Sequence, residues 1–197
     1  MAQLFQKTQA QRKALRLLTG PSRYVLLFGG SRSGKTFILV YAVLVRALRA
    51  AGSRHAILRL HGNSVRQSVL LDTLPKVAKL AFPGLKFKES RQDQFVRLPN
   101  HSEIWFGGVD GEERVDKILG KEFATIYFNE CSEISFDAVN TVLTRLAQRT
   151  PLRNRAYFDC NPSGKSHWSY KLFVEKRDPV SGLALPFPQN YASMQLN

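Results

Sequence analysis

The stretch from Gly29 to Thr36, with the sequence GGSRSGKT, constrains the fold more than any other part of the chain. It fits the pattern G-x-x-x-x-G-K-[ST], whose glycines let backbone N–H groups close around phosphate oxygens. An apolar run at 24–28 precedes it and a longer one at 37–45 follows it. A loop of this kind between a buried strand and a helix N-terminus indicates a phosphate-binding P-loop, because the helix dipole also favours an anion.

The P-loop predicts specific roles for its side chains. We expect Lys35 to reach the β- and γ-phosphates of a nucleotide and Thr36 to offer its hydroxyl to Mg²⁺. Gln11, in a helix predicted over 1–19, is a candidate to read the adenine edge, since an amide donates and accepts at once. The predicted nucleotide-binding residues are Gln11, Gly29, Gly30, Ser31, Arg32, Ser33, Gly34, Lys35 and Thr36.

Strand-like and helix-like segments alternate along the chain. Apolar runs at 24–28, 55–60, 123–128 and 155–159 are separated by helical patterns. This alternation predicts an α/β fold with a mainly parallel central sheet and helices on both faces. Period-two alternation near 85–107 predicts a β-rich excursion. We expect one domain over 1–177, followed by an irregular Pro-rich tail over 178–197.

Ligands of such folds gather at the carboxyl ends of the strands, which directs attention to Asn129 and Glu130. P-loop ATPases commonly carry two acids after this strand, one for Mg²⁺ and one to polarise the attacking water. Here Asn129 replaces the first acid. It can orient a metal-bound water but carries no charge. Glu130 is the candidate general base, and a solvated acid at a helix start is the alternative. We expect Thr36, Asn129 and Glu130 to hold Mg²⁺, partly through water.

Other polar residues are candidates on position alone. Asn161 follows the strand at 155–159 and suits a γ-phosphate sensor, although an Asn-Pro turn explains it equally well. Phosphoryl transfer also needs positive charge against the developing negative charge. Arg32 could supply it in cis, whereas Arg145, late in a helix predicted over 137–147, could reach a neighbouring subunit. Arg59, at the end of the second strand, is a third candidate.

Charge is unevenly distributed. The 197 residues carry 29 Lys and Arg against 15 Asp and Glu, a net charge of +14. Residues 1–71 contain twelve of the basic residues and no acidic one. This imbalance favours a polyanionic partner such as nucleic acid, with solvated helix faces as the alternative. The longest apolar run, 37–45, is too short to span a bilayer.

The motifs together resemble the N-terminal ATPase domain of the large terminase subunit, the DNA-packaging motor of tailed bacteriophages. The resemblance covers nearly the whole chain. After Gln11 and the P-loop come EIWFGGV at 103–109 and IYFNECSEI at 126–134. LTRL at 143–146, Asn161-Pro162 and His167-Trp168 follow in the same order. The Asn at position 129 departs from the family's usual acid.

The resemblance implies a P-loop NTPase of the additional-strand, catalytic-Glu type with sheet order 5-1-4-3-2. It implies ATP and Mg²⁺ as cofactors, Glu130 as base and Asn161 in a motif that couples hydrolysis to movement. Its implied partners are double-stranded viral DNA, the portal protein, the small terminase subunit and further copies in a ring. In isolation we expect a monomer, and in infection a location in the host cytoplasm at the procapsid portal.

A full large subunit also carries a C-terminal RNase H-like nuclease, whose acidic metal cluster has no counterpart in this sequence. We therefore expect no nuclease activity from this chain. Two alternatives to a packaging ATPase stay open. One is a nucleotide-gated nucleic-acid or partner-binding module with little turnover of its own, and the other is a helicase-like ATPase.

Overall fold

The computed structural model describes residues 5–90, 92–111, 118–162 and 164–196. Eight strands form one sheet: β1 Tyr24–Phe28, β2 Arg54–Arg59, β3 Lys88–Ser90, β4 Phe95–Arg97, β5 Glu103–Gly108, β6 Thr125–Phe128, β7 Arg155–Cys160 and β8 Tyr191–Gln195. The described α-helical segments are α1 Gln9–Thr19, α2 Lys35–Arg49, α3 Gly62–Val65, α4 Leu74–Ala81, α5 Phe136–Leu143 and α6 Trp168–Tyr170.

The strands lie in the order β3-β4-β5-β2-β6-β7-β1-β8. If β1, β2, β6, β7 and β8 are counted one to five, they form the predicted order 5-1-4-3-2, and all their pairings are parallel. The β-rich excursion extends this sheet: β5 adds in parallel to β2, and β4 and β3 add antiparallel beyond it. The predicted α/β class and sheet order are confirmed.

Alternate residues of each central strand belong to different cores, because successive side chains point to opposite faces. On β1, Val25 and Leu27 join the core beneath α1, α2 and α4, whereas Leu26 joins the core beneath α5 and α6. On β6, Tyr127 joins the first core, and Ile126 and Phe128 join the second. The sheet is therefore covered by helices on both faces, which leaves its carboxyl edge for chemistry.

The helical stretch from Gly62 to Ala81 is a composite. Between α3 and α4, residues Arg66–Thr73 form π-helical turns, in which the Leu74 N–H donates to the Val69 carbonyl, five residues back. Pro75, at the start of α4, lacks an N–H and its ring would clash with the carbonyl four residues earlier in a regular α-helix. The wider turn accommodates the proline without ending the helix.

The prediction of an irregular tail over 178–197 is wrong for the last part of that range. Residues Tyr191–Gln195 form β8, which pairs in parallel with β1 from Tyr24↔Tyr191 to Phe28↔Gln195. The sequence YASMQ carries no strict alternation because this edge strand is only partly buried. Backbone pairing and the fully buried Leu196, whose N–H donates to the Phe28 carbonyl at 2.7 Å, hold it in place.

The N-terminal helix is shorter than predicted. It begins at Gln9 behind a capping box, in which the Thr8 side chain accepts from the Gln11 N–H and the Gln11 side chain accepts from the Thr8 N–H. Residues 1–4 of the predicted helix lie outside the described residues. Among the described residues, none of the helices combines the length and the apolar character that a membrane span requires.

Candidate functional site

An open cleft lies at the carboxyl edge of the central strands. It is lined by Ser31, Arg32, Ser33, Gly34, Lys35, Thr36, Phe37, Glu130 and Asn161. The P-loop follows β1, Glu130 follows β6 and Asn161 follows β7, so three neighbouring strands deliver these groups to one place. The structure thus brings together the P-loop and both polar residues that the sequence placed after strands.

The backbone of the P-loop requires glycine at two positions. Gly34 precedes α2 at φ +82°, a left-handed conformation that only glycine adopts without strain. Gly29 lies so close to the Leu196 backbone that a Cβ would clash with it. The loop therefore lies between the start of α2 and Leu196, the residue after β8. The position of the C-terminal strand consequently affects the shape of the site.

Lys35 lies inside the loop. Its side chain is 5% exposed, and Nζ donates to the carbonyls of Gly29 and Gly30, both at 2.9 Å. Longer contacts reach Ser33 Oγ at 3.3 Å and Asn161 Oδ1 at 3.5 Å. The ammonium is therefore held at the mouth of the loop beside Asn161, where an anion bound by the loop would meet it.

A buried carboxylate that sequence reasoning missed lies next to Thr36. The Thr36 hydroxyl donates to Asp159 Oδ2 at 3.3 Å. The other oxygen, Oδ1, accepts from the Tyr127 hydroxyl at 3.0 Å, from Asn129 Nδ2 at 3.1 Å and from the Glu130 N–H at 2.9 Å. Asp159 is fully buried, and burial raises its pKa against the lowering effect of these hydrogen bonds. An acid at the end of the apolar run at 155–159 was the available signal.

Asn129 supports this carboxylate. It is 3% exposed, and its amide nitrogen donates both to Asp159 and to the Tyr127 hydroxyl. Its amide nitrogen is thus engaged within the sheet edge, one residue beyond the β6–β7 pair Phe128↔Phe158.

Glu130 combines a strained backbone with a partly buried carboxyl group. Its backbone is left-handed at φ 52° and ψ 51°, a conformation that costs about 1 kcal/mol or more for a residue with a side chain. Burial, and then the negative charge of Asp159, raise the pKa of its carboxyl, while Arg59 and Lys35 lower it. A carboxylate with a raised pKa is a better proton acceptor, so this environment suits a general base.

Gln11 lies against the P-loop. Its Nε2 is 3.2 Å from the position that a Cβ on Gly34 would occupy. The capping box fixes Oε1 on the Thr8 N–H, which leaves Nε2 directed toward the loop. The start of α1 therefore flanks the site.

The candidate arginines separate into different surroundings. Arg32 is exposed on the P-loop at φ 64°, at the edge of the cleft. Arg59 is bonded to Glu133 by Nε at 3.2 Å and Nη2 at 3.3 Å. Arg145 lies beyond the end of α5, and its carbonyl accepts from the Phe123 N–H ahead of β6. That is the amino edge of the sheet, opposite to the cleft, so Arg145 is not part of its own chain's site.

Comparisons with known proteins agree with this geometry. The family model described as phage terminase large subunit matches residues 22–183. The large terminase of a thermophilic bacteriophage superposes with a TM-score of 0.77 at 19% identity, over 96% of this chain and 45% of that one. The same terminase in complex with ADP gives a TM-score of 0.75 at 18% identity, over 96% of this chain and 45% of that one.

The large terminase ATPase domain of Thermus phage P74-26 gives a TM-score of 0.65 at 16% identity, over 97% of this chain and 81% of that one. This chain spans less than half the length of the thermophilic bacteriophage's terminase. At these identities the structural likeness shows the fold alone. No curated protein matches the chain in sequence. The family model covers most of the chain, and its P-loop strand, Asn129-Glu130 edge and Asn161 lie within the match: the chain belongs to the phage terminase large subunit family.

Proposed function

We propose that this chain is the ATPase domain of a viral DNA-packaging motor, which couples the hydrolysis of Mg-ATP to the movement of double-stranded DNA into a procapsid. One observation carries the proposal. A P-loop with a buried lysine and a strained, half-buried glutamate meet at the same cleft of a 5-1-4-3-2 sheet. The thermophilic bacteriophage's terminase has been solved with ADP and with ATP-gamma-S, which supports a nucleotide at this place in the fold.

Each residue at the cleft has its own role in the proposed binding and hydrolysis of ATP. The loop N–H groups and Lys35 bind the β- and γ-phosphates, and Gln11 borders the nucleotide at the other side of the loop. Glu130 orients a water and accepts its proton as the water attacks the γ-phosphorus. Asn161, within reach of Lys35 Nζ, senses whether the γ-phosphate is present. Arg32 offers positive charge at the mouth of the cleft.

The donor set beside Thr36 fits Mg²⁺. The Thr36 hydroxyl and the Asp159 carboxylate are hard oxygen donors in contact with each other, and Glu130 lies on the same cleft. A bound Mg²⁺ supplies charge neutralisation for the phosphates. Thr36 and the neighbouring carboxylate oxygens would hold the ion.

Arg145 acts on a neighbouring copy in this proposal. Its position on the edge opposite to its own cleft supports a role in trans, since a ring of copies places one subunit's outer surface against the next subunit's site. The isolated domain is then a monomer with slow turnover, and self-association into a ring during packaging completes the site.

Double-stranded DNA is the proposed polyanionic partner of the basic first half. Arg49 is exposed at the end of α2, whereas Arg46 donates from Nε to Thr125 Oγ1 at 2.8 Å and from Nη2 to the Arg153 carbonyl at 2.7 Å. Arg46 is therefore a structural residue, and exposed cations such as Arg49 are the DNA candidates. The portal protein and the small terminase subunit are further proposed partners, at the procapsid in the host cytoplasm.

The proposal is tested by nucleotide binding and phosphate release in the wild-type chain, in Lys35→Ala and in Lys13→Ala. Lys13 is an exposed lysine of α1 and serves as the matched control. We expect wild type and Lys13→Ala to bind ATP and release phosphate with Mg²⁺, and Lys35→Ala to lose at least about tenfold in binding. Equal ATP binding by Lys35→Ala would contradict the proposal. ATP binding without phosphate release, even at high protein concentration, would favour the nucleotide-gated module instead.

A further inference from the structure

The residue that follows β6 is an amide, Asn129, and the second-last residue of β7 is an acid, Asp159. Phe128 and Phe158 are paired in parallel register, so Asn129 and Asp159 are opposite neighbours at the same level of the sheet. P-loop ATPases hold Mg²⁺ with the P-loop Ser or Thr and with an acid that follows the strand equivalent to β6 of this protein. Here that position is Asn129, and the acid stands one strand away, about 4.8 Å in the hydrogen-bonding direction.

The two oxygens of Asp159 have different surroundings. Oδ1 accepts three hydrogen bonds from β6 and the residues after it, which fixes the carboxylate in place. Oδ2 receives the Thr36 hydroxyl at 3.3 Å. The side chain therefore presents its less occupied oxygen to the residue that P-loop proteins use for their metal.

The charge of Asp159 is not matched by an ion pair. None of the ion pairs among the described residues includes it, and the side chain is fully buried. Buried charges in proteins are paired or coordinate a metal, because desolvation is otherwise too costly. The positive charge of Lys35 lowers the pKa of Asp159, but no ion pair among the described residues joins the two, so a cation bound beside Thr36 would supply a direct partner.

We propose that Asp159 supplies, from β7, the carboxylate for Mg²⁺ that Asn129 does not supply from β6. The acid of the metal site then lies on β7 instead of after β6, and Asn129 donates a hydrogen bond that orients its carboxylate. This inference rests on the proposed nucleotide-binding function and identifies the metal-holding residue of that same site.

A purely structural role for Asp159 makes a different prediction. If the carboxylate only gathered hydrogen bonds from Tyr127, Asn129 and Glu130, its replacement would lower stability and leave metal affinity to the remaining groups. The relocated double variant Asn129→Asp/Asp159→Asn separates the two roles, because it keeps one acid and one amide at the sheet edge but returns the acid to β6.

The experiment measures Mn²⁺ binding by electron paramagnetic resonance, with a non-hydrolysable ATP analogue bound. The proteins are wild type, Asp159→Asn, the relocated double variant and Asp137→Asn, a control that makes the same substitution at an exposed acid of α5. Nucleotide affinity in EDTA and thermal unfolding are measured alongside. We expect Asp159→Asn to bind nucleotide in EDTA within about twofold of the wild-type affinity, and to bind Mn²⁺ about tenfold or more weakly than the wild type. The double variant should recover Mn²⁺ binding to within about threefold, and Asp137→Asn should retain it.

Unchanged Mn²⁺ affinity in a folded Asp159→Asn, or a folded double variant that fails to recover, would overturn the assignment. Failure of the wild type to bind nucleotide at all would instead overturn the proposed function. A measurement on the wild type needs no variant to fold: ¹³C labelling of Asp carboxyl carbons and electron–nuclear double resonance of bound Mn²⁺. A carboxylate coupling to Mn²⁺ supports Asp159, whose side chain touches Thr36, and its absence overturns the assignment.

Discussion

Acidification to pH 5 should destabilise this domain through His55, which lies fully buried on β2. Its Nε2 is 2.9 Å from Ser53 Oγ and its Nδ1 is 2.7 Å from Thr125 Oγ1, so the ring ties β2 to the start of β6. Burial first, and then the positive charge of Arg46, lower the pKa of His55 from 6.5 to about 3. The folded state therefore holds the imidazole neutral.

The magnitude follows from linkage between protonation and folding. Between pH 6.5 and about 3 the unfolded chain binds a proton at His55 that the folded chain does not, so stability present above pH 6.5 is lost as the pH falls toward 3. These two values give a loss of about 2 kcal/mol in the free energy of unfolding between pH 7 and pH 5. That is a large fraction of the roughly 5–15 kcal/mol of a typical domain.

The assay is urea denaturation of the wild type and His55→Gln at pH 7 and at pH 5. Glutamine keeps polar atoms near both hydroxyls but does not titrate. The burial-raised pKa values of Glu130 and Asp159 act in the opposite direction, and they cancel when the two proteins are compared. We expect the wild type to lose about 2 kcal/mol more than the variant over this range. Equal losses would refute the reasoning that His55 is kept neutral by the fold.

Three further predictions concern arginines. Arg145→Ala should leave ATP binding intact and abolish a rise in specific ATPase activity with protein concentration; flat activity in the wild type would refute a role in trans. Arg49→Ala should weaken binding to double-stranded DNA and reduce its salt dependence by about one counterion, as read from affinities at several salt concentrations. Arg46→Ala should instead lower the melting temperature, because it removes bonds to Thr125 and to the Arg153 carbonyl; the reverse pattern would contradict this assignment.

The sequence predicted the central sheet because its signals are local. A GGSRSGKT loop between apolar runs specifies strand, turn and helix together, and the runs around residues 57, 126 and 157 are buried on both faces, so they read as continuous apolar segments. The strand β8 was missed because its side chains are only partly buried and its pairing with β1 is made by the backbone. Edge strands of this kind carry little sequence pattern.

The sequence predicted some residues of the candidate site and missed others, for a similar reason. Lys35, Thr36, Glu130 and Asn161 follow the ends of strands and lie together at the cleft. Asp159 was missed because its contacts are made with other elements: the register of β6 and β7 brings it beside Asn129, and Thr36 reaches it from the start of α2. The pairing of an amide on one strand with an acid on the next is a non-local feature, so reading along the chain treats them separately.

The measurement that tests the account most directly is steady-state ATP hydrolysis by the wild type and Glu130→Gln, with ATP binding followed in parallel and Asp137→Asn as an exposed acidic control. With Mg²⁺ present, we expect the wild type and the control to turn over ATP, and Glu130→Gln to bind ATP normally while its kcat falls by about 10²–10⁴-fold. Turnover by Glu130→Gln equal to that of the wild type would contradict the assignment of Glu130 as the base, and with it the account of this cleft as the site of hydrolysis.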